Sequence, residues 1–92
     1  MKVQYTIDAR QHIAEIGVYI SRRNTLAAAQ VVARIRAKVA LLGRFPHVGR
    51  SGKAPGTYET TVKGLPCIIV YEIHAKVREV WILGIFHGAQ GR

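Results

Sequence analysis

The stretch GRFPHVGRSGKAPGT, Gly43 to Thr57, divides this chain into two halves with different hydrophobic periods. It holds four of the nine glycines and two of the three prolines, so it reads as a loop between regular elements. Before it, after one short alternating stretch at the start, apolar residues recur every three or four positions, the period of a helix. After it, they fall in short runs rich in β-branched and aromatic residues. Helices and strands are therefore segregated along the sequence, which points to an α+β domain. A basic loop of this length is near the upper limit for structureless connections, and loops of that kind are often functional.

In the first half, Val3, Tyr5 and Ile7 alternate with Gln4 and Thr6, predicting a half-buried strand over residues 2–7. Asp8 with Gln11 three positions on resembles a capping box, and Ile13, Ile16 and Ile20 place an apolar stripe on a helix over 9–22. Gly17 inside that helix costs about 1 kcal/mol of propensity and is read as permitting a close approach of a neighbouring helix. Asn24 or Thr25 caps a second, alanine-rich helix reaching Leu42, with a stripe of Ala28, Val32, Ile35, Val39 and Leu42. The short Ser21–Asn24 turn makes the two helices an antiparallel αα-hairpin.

In the second half, Tyr58–Val62, Cys67–Ile73 and Val77–Phe86 read as strands. The turns Lys63–Pro66 and His74–Lys76 are short enough for antiparallel hairpins. The last two runs are apolar on both parities, so they belong in the middle of the sheet. One face takes the helical hairpin. The other, with Cys67, Tyr71, Trp81 and Leu83 as candidates, is expected to need a partner, a dimer or a shallow cleft. The expected order is β-α-α-β-β-β, a helical hairpin packed on a small, mainly antiparallel sheet, with all 92 residues in a single domain.

Charge narrows the function. Fourteen Lys and Arg against five Asp and Glu give +9, and no acidic residue lies between Glu15 and Glu59. Arg22, Arg23, Arg34, Arg36, Lys38, Arg44, Arg50 and Lys53 all fall in that interval. So one-signed a surface attracts polyanions: nucleic acid, a ribosome or an acidic protein. No apolar run is long enough to span a bilayer and no signal peptide is evident, so a cytoplasmic protein without membrane contact is expected. A lone cysteine, Cys67, rules out an internal disulfide and a cysteine-rich zinc site. His12, His47, His74 and His87 have no ligand-like spacing, so neither metal nor cofactor is expected.

What remains is a cationic constellation. Arg50 and Lys53 lie on the glycine-rich loop, Lys63 at a hairpin end, Arg78 on the last strand and His87 just past it. Glu59 lies on the first strand of the meander. Metal-free RNA cleavage needs a base, a cation for the charge developing on phosphorus, and an acid for the leaving oxygen. Glu59 or His87 fits base or acid, and Arg50 or Arg78 the cation. Each also has a structural reading: Glu59 in a cross-sheet ion pair, Arg78 in solvent, His87 as a strand end.

FPHVGR (Phe45 to Arg50), GLPCIIVYEI (Gly64 to Ile73) and WILGIFHGAQ (Trp81 to Gln90), in this order, resemble the RelE/ParE superfamily of type II toxin–antitoxin toxins. The resemblance spans nearly the whole chain. It implies a toxin held inactive by a cognate acidic antitoxin, with a toxin–antitoxin heterotetramer as one assembly. One branch of the superfamily cuts mRNA on the ribosome, and another inhibits DNA gyrase without cleaving RNA. RNase members carry a basic residue in the middle meander strand and a tyrosine or arginine in the C-terminal segment. Here CIIVYEI is apolar before Tyr71, and HGAQGR has no tyrosine. The expectation leans to a gyrase-type or other non-cleaving inhibitor, with the ribosome-dependent endoribonuclease as alternative and a non-toxic nucleic-acid-binding module as third. If the chain is a nuclease, Arg50, Glu59, Arg78 and His87 are its catalytic candidates. Lys53, Lys63, Tyr71, Trp81 and Gln90 are candidates for binding target or antitoxin.

Overall fold

A computed structural model of the chain describes residues 1–88. Strand β1 (Lys2–Tyr5) leads into helix α1 (Ile7–Ser21), and a short turn into helix α2 (Thr25–Arg44). A 3-10 turn (Pro46–Val48) precedes β2 (Arg50–Ser51), β3 (Tyr58–Val62) and β4 (Leu65–His74). A second 3-10 turn (Ala75–Val77) leads to β5 (Glu79–His87). The five strands form one sheet in the order β1-β5-β4-β3-β2, with β1 parallel to β5 and every other pair antiparallel.

The architecture is the expected one with a fifth, two-residue strand, β2, added inside the stretch read as loop. Other boundaries move for identifiable reasons. The first strand ends at Tyr5 because Thr6, not Asp8, caps α1: its hydroxyl accepts the Ala9 N–H at 3.1 Å. The same hydroxyl donates to the carbonyl pair of Ile82 (3.0 Å) and Leu83 (3.2 Å), tying the cap to the sheet. Ile7 therefore starts the helix, 82% exposed, rather than completing an alternating strand. Of the two expected caps, Asn24 is the one that caps α2, accepting the Ala27 N–H at 3.0 Å. A methyl group at Gly17 would meet Val32 at 3.5 Å, ordinary contact, so the hairpin does not require glycine there.

The hairpin buries one face of the sheet. Ile13 and Ile16 from α1 and Ile35, Val39 and Leu42 from α2 pack with Cys67, Ile69 and Tyr71 of β4 and Val80, Ile82 and Ile85 of β5. Each fully buried aliphatic side chain contributes about 1.5–3 kcal/mol. Cys67 and Tyr71, at 1% and 0% exposure, belong to this helix-covered core and not to the open face where they were expected. The reason is a bulge. Tyr71 opposes Ile82 and Val70 opposes Gly84, so Leu83 is the extra residue and the parity of β5 changes there. Trp81 and Leu83 remain half-buried. The bulge also explains why that strand reads as apolar on both parities.

Candidate functional site

The site is built on the loop that follows α2. Tyr71, buried in the middle of β4, points its hydroxyl under this loop. That hydroxyl donates to the Pro46 carbonyl at 2.7 Å and accepts the Gly49 N–H at 3.0 Å. Its ring stacks on Tyr58, centroids 5.6 Å apart. Burial raises the Tyr71 pKa above the usual tyrosine value, opposed by the Gly49 N–H, so the hydroxyl stays protonated and able to donate. A Cβ at Gly49 would lie 2.4 Å from that oxygen and 2.8 Å from the Glu59 carbonyl. Pro46, Gly49 and Tyr71, read separately in the sequence, are one device that fixes where Arg50 begins.

Arg50 then pairs with Glu59 across β2 and β3, in register, on the face away from the helices. Glu59 is only 7% exposed, covered by the loop it holds: the Lys53 N–H donates to its Oε2 at 3.2 Å. Thr57 secures the loop's return, its hydroxyl donating to the Ala54 carbonyl at 2.6 Å. A depression of about 200 Å³ lies here, lined by Val48, Arg50, Glu59, Thr60 and Thr61. Its lining brings Arg50, Thr60 and Thr61 together with the buried Glu59. Lys53 is exposed on the loop's rim.

The remaining candidates lie elsewhere. His87 pairs with Cys67, three residues before Val70, which pairs with Glu59. Three steps along a strand reverse the face. His87 accordingly lies on the helix side, its ring 6.2 Å from that of Tyr19 on α1, while Arg50 and Glu59 lie on the opposite side. Arg78 is exposed at the start of β5, in a left-handed turn (φ 55°). It is nine residues from His87, roughly 30 Å at the rise of an extended chain. Lys63 is exposed at the β3–β4 turn, where its carbonyl accepts from Arg34 Nη2. Trp81 sits in a polar group at the other end of the sheet, donating to Glu79 at 3.0 Å and 6.1 Å from the His74 ring. His74 in turn contacts Glu72 at 2.9 Å. Tyr71, expected as a surface binding residue, instead supports the loop from inside the core. Gln90 lies outside the described residues.

Two features were missed from sequence. Beyond Ile82, β5 has no strand on its outer edge among the described residues. His12 of α1 takes that place: its Nδ1 accepts the Ile85 N–H at 3.1 Å and its ring lies 5.1 Å from that of Phe86. A groove of about 570 Å³ runs alongside, walled by Val18, Tyr19, Ile85 and Phe86. The signal was Gly84, where a Cβ would lie 3.1 Å from the His12 ring. The second feature is the Tyr71 hydroxyl bridge, which carries no local sequence signature. Among the described residues no group of three or more His, Cys, Asp or Glu side chains could hold a metal ion, and no helix is long and apolar enough to cross a membrane. Burial raises the Cys67 pKa, keeping it a thiol and a poor nucleophile.

Residues 3–91 match the model of a family described as ParE toxin of type II toxin-antitoxin system, parDE. A putative toxin, Y4kP, from Sinorhizobium fredii is 38% identical over 89 residues, covering 97% of this chain and 90% of that one. Among solved structures, a chain of the chromosomal ParDE system from P. aeruginosa superposes with a TM-score of 0.82 at 22% identity, covering 95% of each chain. A chain of the RelBE2 toxin–antitoxin complex from Mycobacterium tuberculosis gives 0.73 at 21%, covering 94% of this chain and 95% of that one. A chain of the intact E. coli RelBE complex gives 0.71 at 11%, covering 94% of each. At these identities the structural likeness speaks for the fold.

Proposed function

Because this chain belongs to the ParE toxin family of type II toxin–antitoxin systems, we propose that it arrests growth by binding its target, DNA gyrase, rather than by cleaving RNA, and that an acidic antitoxin holds it in check. The observation that carries this reading is the dispersal of the would-be catalytic groups. Acid–base cleavage needs base, acid and cation within hydrogen-bond reach of one phosphate. Arg50 and Glu59 lie on one face of the sheet, His87 lies on the other beside Tyr19, and Arg78 is at the far end of β5. Glu59 is also buried and engaged with the Lys53 N–H, where a base for a bulky RNA substrate has poor access.

The ribosome-dependent endoribonuclease is the second reading. It is favoured by the gathering of Arg50, Lys53 and Glu59 on one loop and its supporting strand, a cation and a carboxylate in register at a sheet edge. The RelBE complexes among the structural neighbours leave that branch open at the level of fold. A gyrase supercoiling assay with the purified protein tests the first reading: loss of supercoiling at stoichiometric toxin is expected. Full supercoiling at a large excess of toxin removes gyrase as the target.

A further inference from the structure

The flank of α2 nearest the β3–β4 turn gathers cations that no carboxylate offsets. Arg34 and Lys38 stand one turn apart on α2, their Cβ atoms about 6 Å from each other. Arg34 Nη2 donates to the Lys63 carbonyl in the β3–β4 turn, which brings a third cation alongside. A Cβ at Gly64 would lie 3.1 Å from the same Nη2, so the glycine of that turn leaves room for the contact. Arg36 lies on the other flank, its guanidinium 5.8 Å over the Tyr5 ring of β1. Among the described residues no carboxylate pairs with Arg34, Lys38 or Lys63.

The acidic side chains are placed elsewhere. Asp8 and Glu15 belong to α1, and α2 has no acidic residue. Glu59 is on β3, but its neighbour Thr60 pairs with Ile69 of the helix-covered core. Glu59 therefore projects to the opposite face, where its Oε2 accepts the Lys53 N–H. Glu72 and Glu79 sit with His74 and Trp81 toward the far end of β4, a strand of ten residues and roughly 30 Å. Between the three cations Ile35 and Val62 are buried, and the exposed Leu41 lies beyond Lys38. Tyr58, the one aromatic residue of β3, is already stacked on Tyr71 with His47 edge-on. A peptide thus finds no apolar centre among these cations, and an unpaired base finds no free ring to stack on. What the flank offers is charge, and duplex DNA carries about one phosphate per 1.7 Å of its axis.

We propose that Arg34, Lys38 and Lys63 form a track that binds the phosphate backbone of duplex DNA without reading its sequence. The choice of DNA among phosphate polymers rests on the gyrase reading, since that target works on duplex DNA; the track itself rests on the geometry above. The test is fluorescence anisotropy with a labelled DNA duplex of about 20 base pairs, titrated at several salt concentrations. Three phosphate contacts give a slope of log Kobs against log salt of about −3 or steeper. Lys38→Gln and Lys63→Gln should each make that slope shallower by about 1. Lys63 is exposed, so its variant serves even where Lys38→Gln disturbs the helix. Lys76→Gln, exposed in the turn at the far end of β4, should leave the slope unchanged. The slope counts released ions, so a variant that is merely less stable does not move it in this way. Duplex RNA of equal length and a polyglutamate peptide complete the set. An unchanged slope in Lys63→Gln, an equal change in Lys76→Gln, polyglutamate bound as tightly as DNA, or RNA bound about 10-fold more tightly than DNA would each overturn the track. Gyrase supercoiling, assayed separately on the wild type, keeps the two readings apart. Inhibition without DNA binding would sink the track and leave the toxin reading standing, whereas the expected slopes with full supercoiling would uphold the track and remove gyrase.

Discussion

Replacing Tyr71 by phenylalanine removes one oxygen atom and two hydrogen bonds while keeping the ring. The hydroxyl is the donor to the Pro46 carbonyl (2.7 Å) and the acceptor for the Gly49 N–H (3.0 Å), so both backbone groups lose their partner beside a side chain with no exposed surface. An unmet buried polar group costs about 1–3 kcal/mol, and partial access of water to the loop reduces the pair to about 2–4 kcal/mol. Against the total of about 5–15 kcal/mol for a domain this is large, and at about 4–8 °C per kcal/mol it corresponds to a fall in Tm of about 8–32 °C. Urea unfolding followed by circular dichroism measures it, with an unchanged m value reporting an unchanged core. Tyr58→Phe, which touches neither bond, should cost less than about 1 kcal/mol. The pH profile adds a second readout. Burial lifts the folded Tyr71 pKa above the ordinary 10.0, so its stabilising contribution is complete below pH 10 and is lost as pH rises through the raised value. Tyr71→Phe should make the alkaline limb shallower. A Tyr71→Phe protein within about 0.5 kcal/mol of wild type would refute the idea that this hydroxyl fixes the loop.

Gly49→Ala should be at least as damaging as Tyr71→Phe, since its Cβ would sit 2.4 Å from the tyrosine oxygen. Combining the two should cost less than the sum, which a double-mutant cycle in urea reads directly. Cys67, 1% exposed and with a raised pKa, should resist a disulfide reagent in the native protein at pH 8 and react at once in denaturant; fast native labelling would contradict its place in the core. Thr6→Val should destabilise by about 1–2 kcal/mol, because it removes the α1 cap and the link to Ile82 and Leu83 together.

The elements most legible in the sequence were those fixed by local chemistry. Asn24 capped α2 because its side chain acts on the next turn, and Tyr58–Val62 was recovered residue for residue. Thr6 was misread although its bond to the Ala9 N–H is local, because the alternation of Val3, Tyr5 and Ile7 carried the strand past it; its ties to Ile82 and Leu83, more than seventy positions away, left no local mark. The same distance hid β2, two residues that count as a strand only because Arg50 and Ser51 meet Glu59 and Tyr58. Tyr71 went to the wrong face because period-2 reading has no means of locating a bulge in the neighbouring strand. Of the charged candidates, Arg50 and Glu59 meet in register. Their separation from His87 and Arg78 is a property of register and face, which composition cannot carry.

The central claim is inhibition by binding, without cleavage of message. It is tested most directly by primer extension on a defined mRNA in a purified translation reaction, with and without the protein. The account predicts an intact message at every codon, and the same result for wild type and His87→Ala. Cuts that appear only on translated message and disappear with His87→Ala or Arg50→Ala would contradict it, and would mean that groups on opposite faces of this sheet are brought to one phosphate on the ribosome.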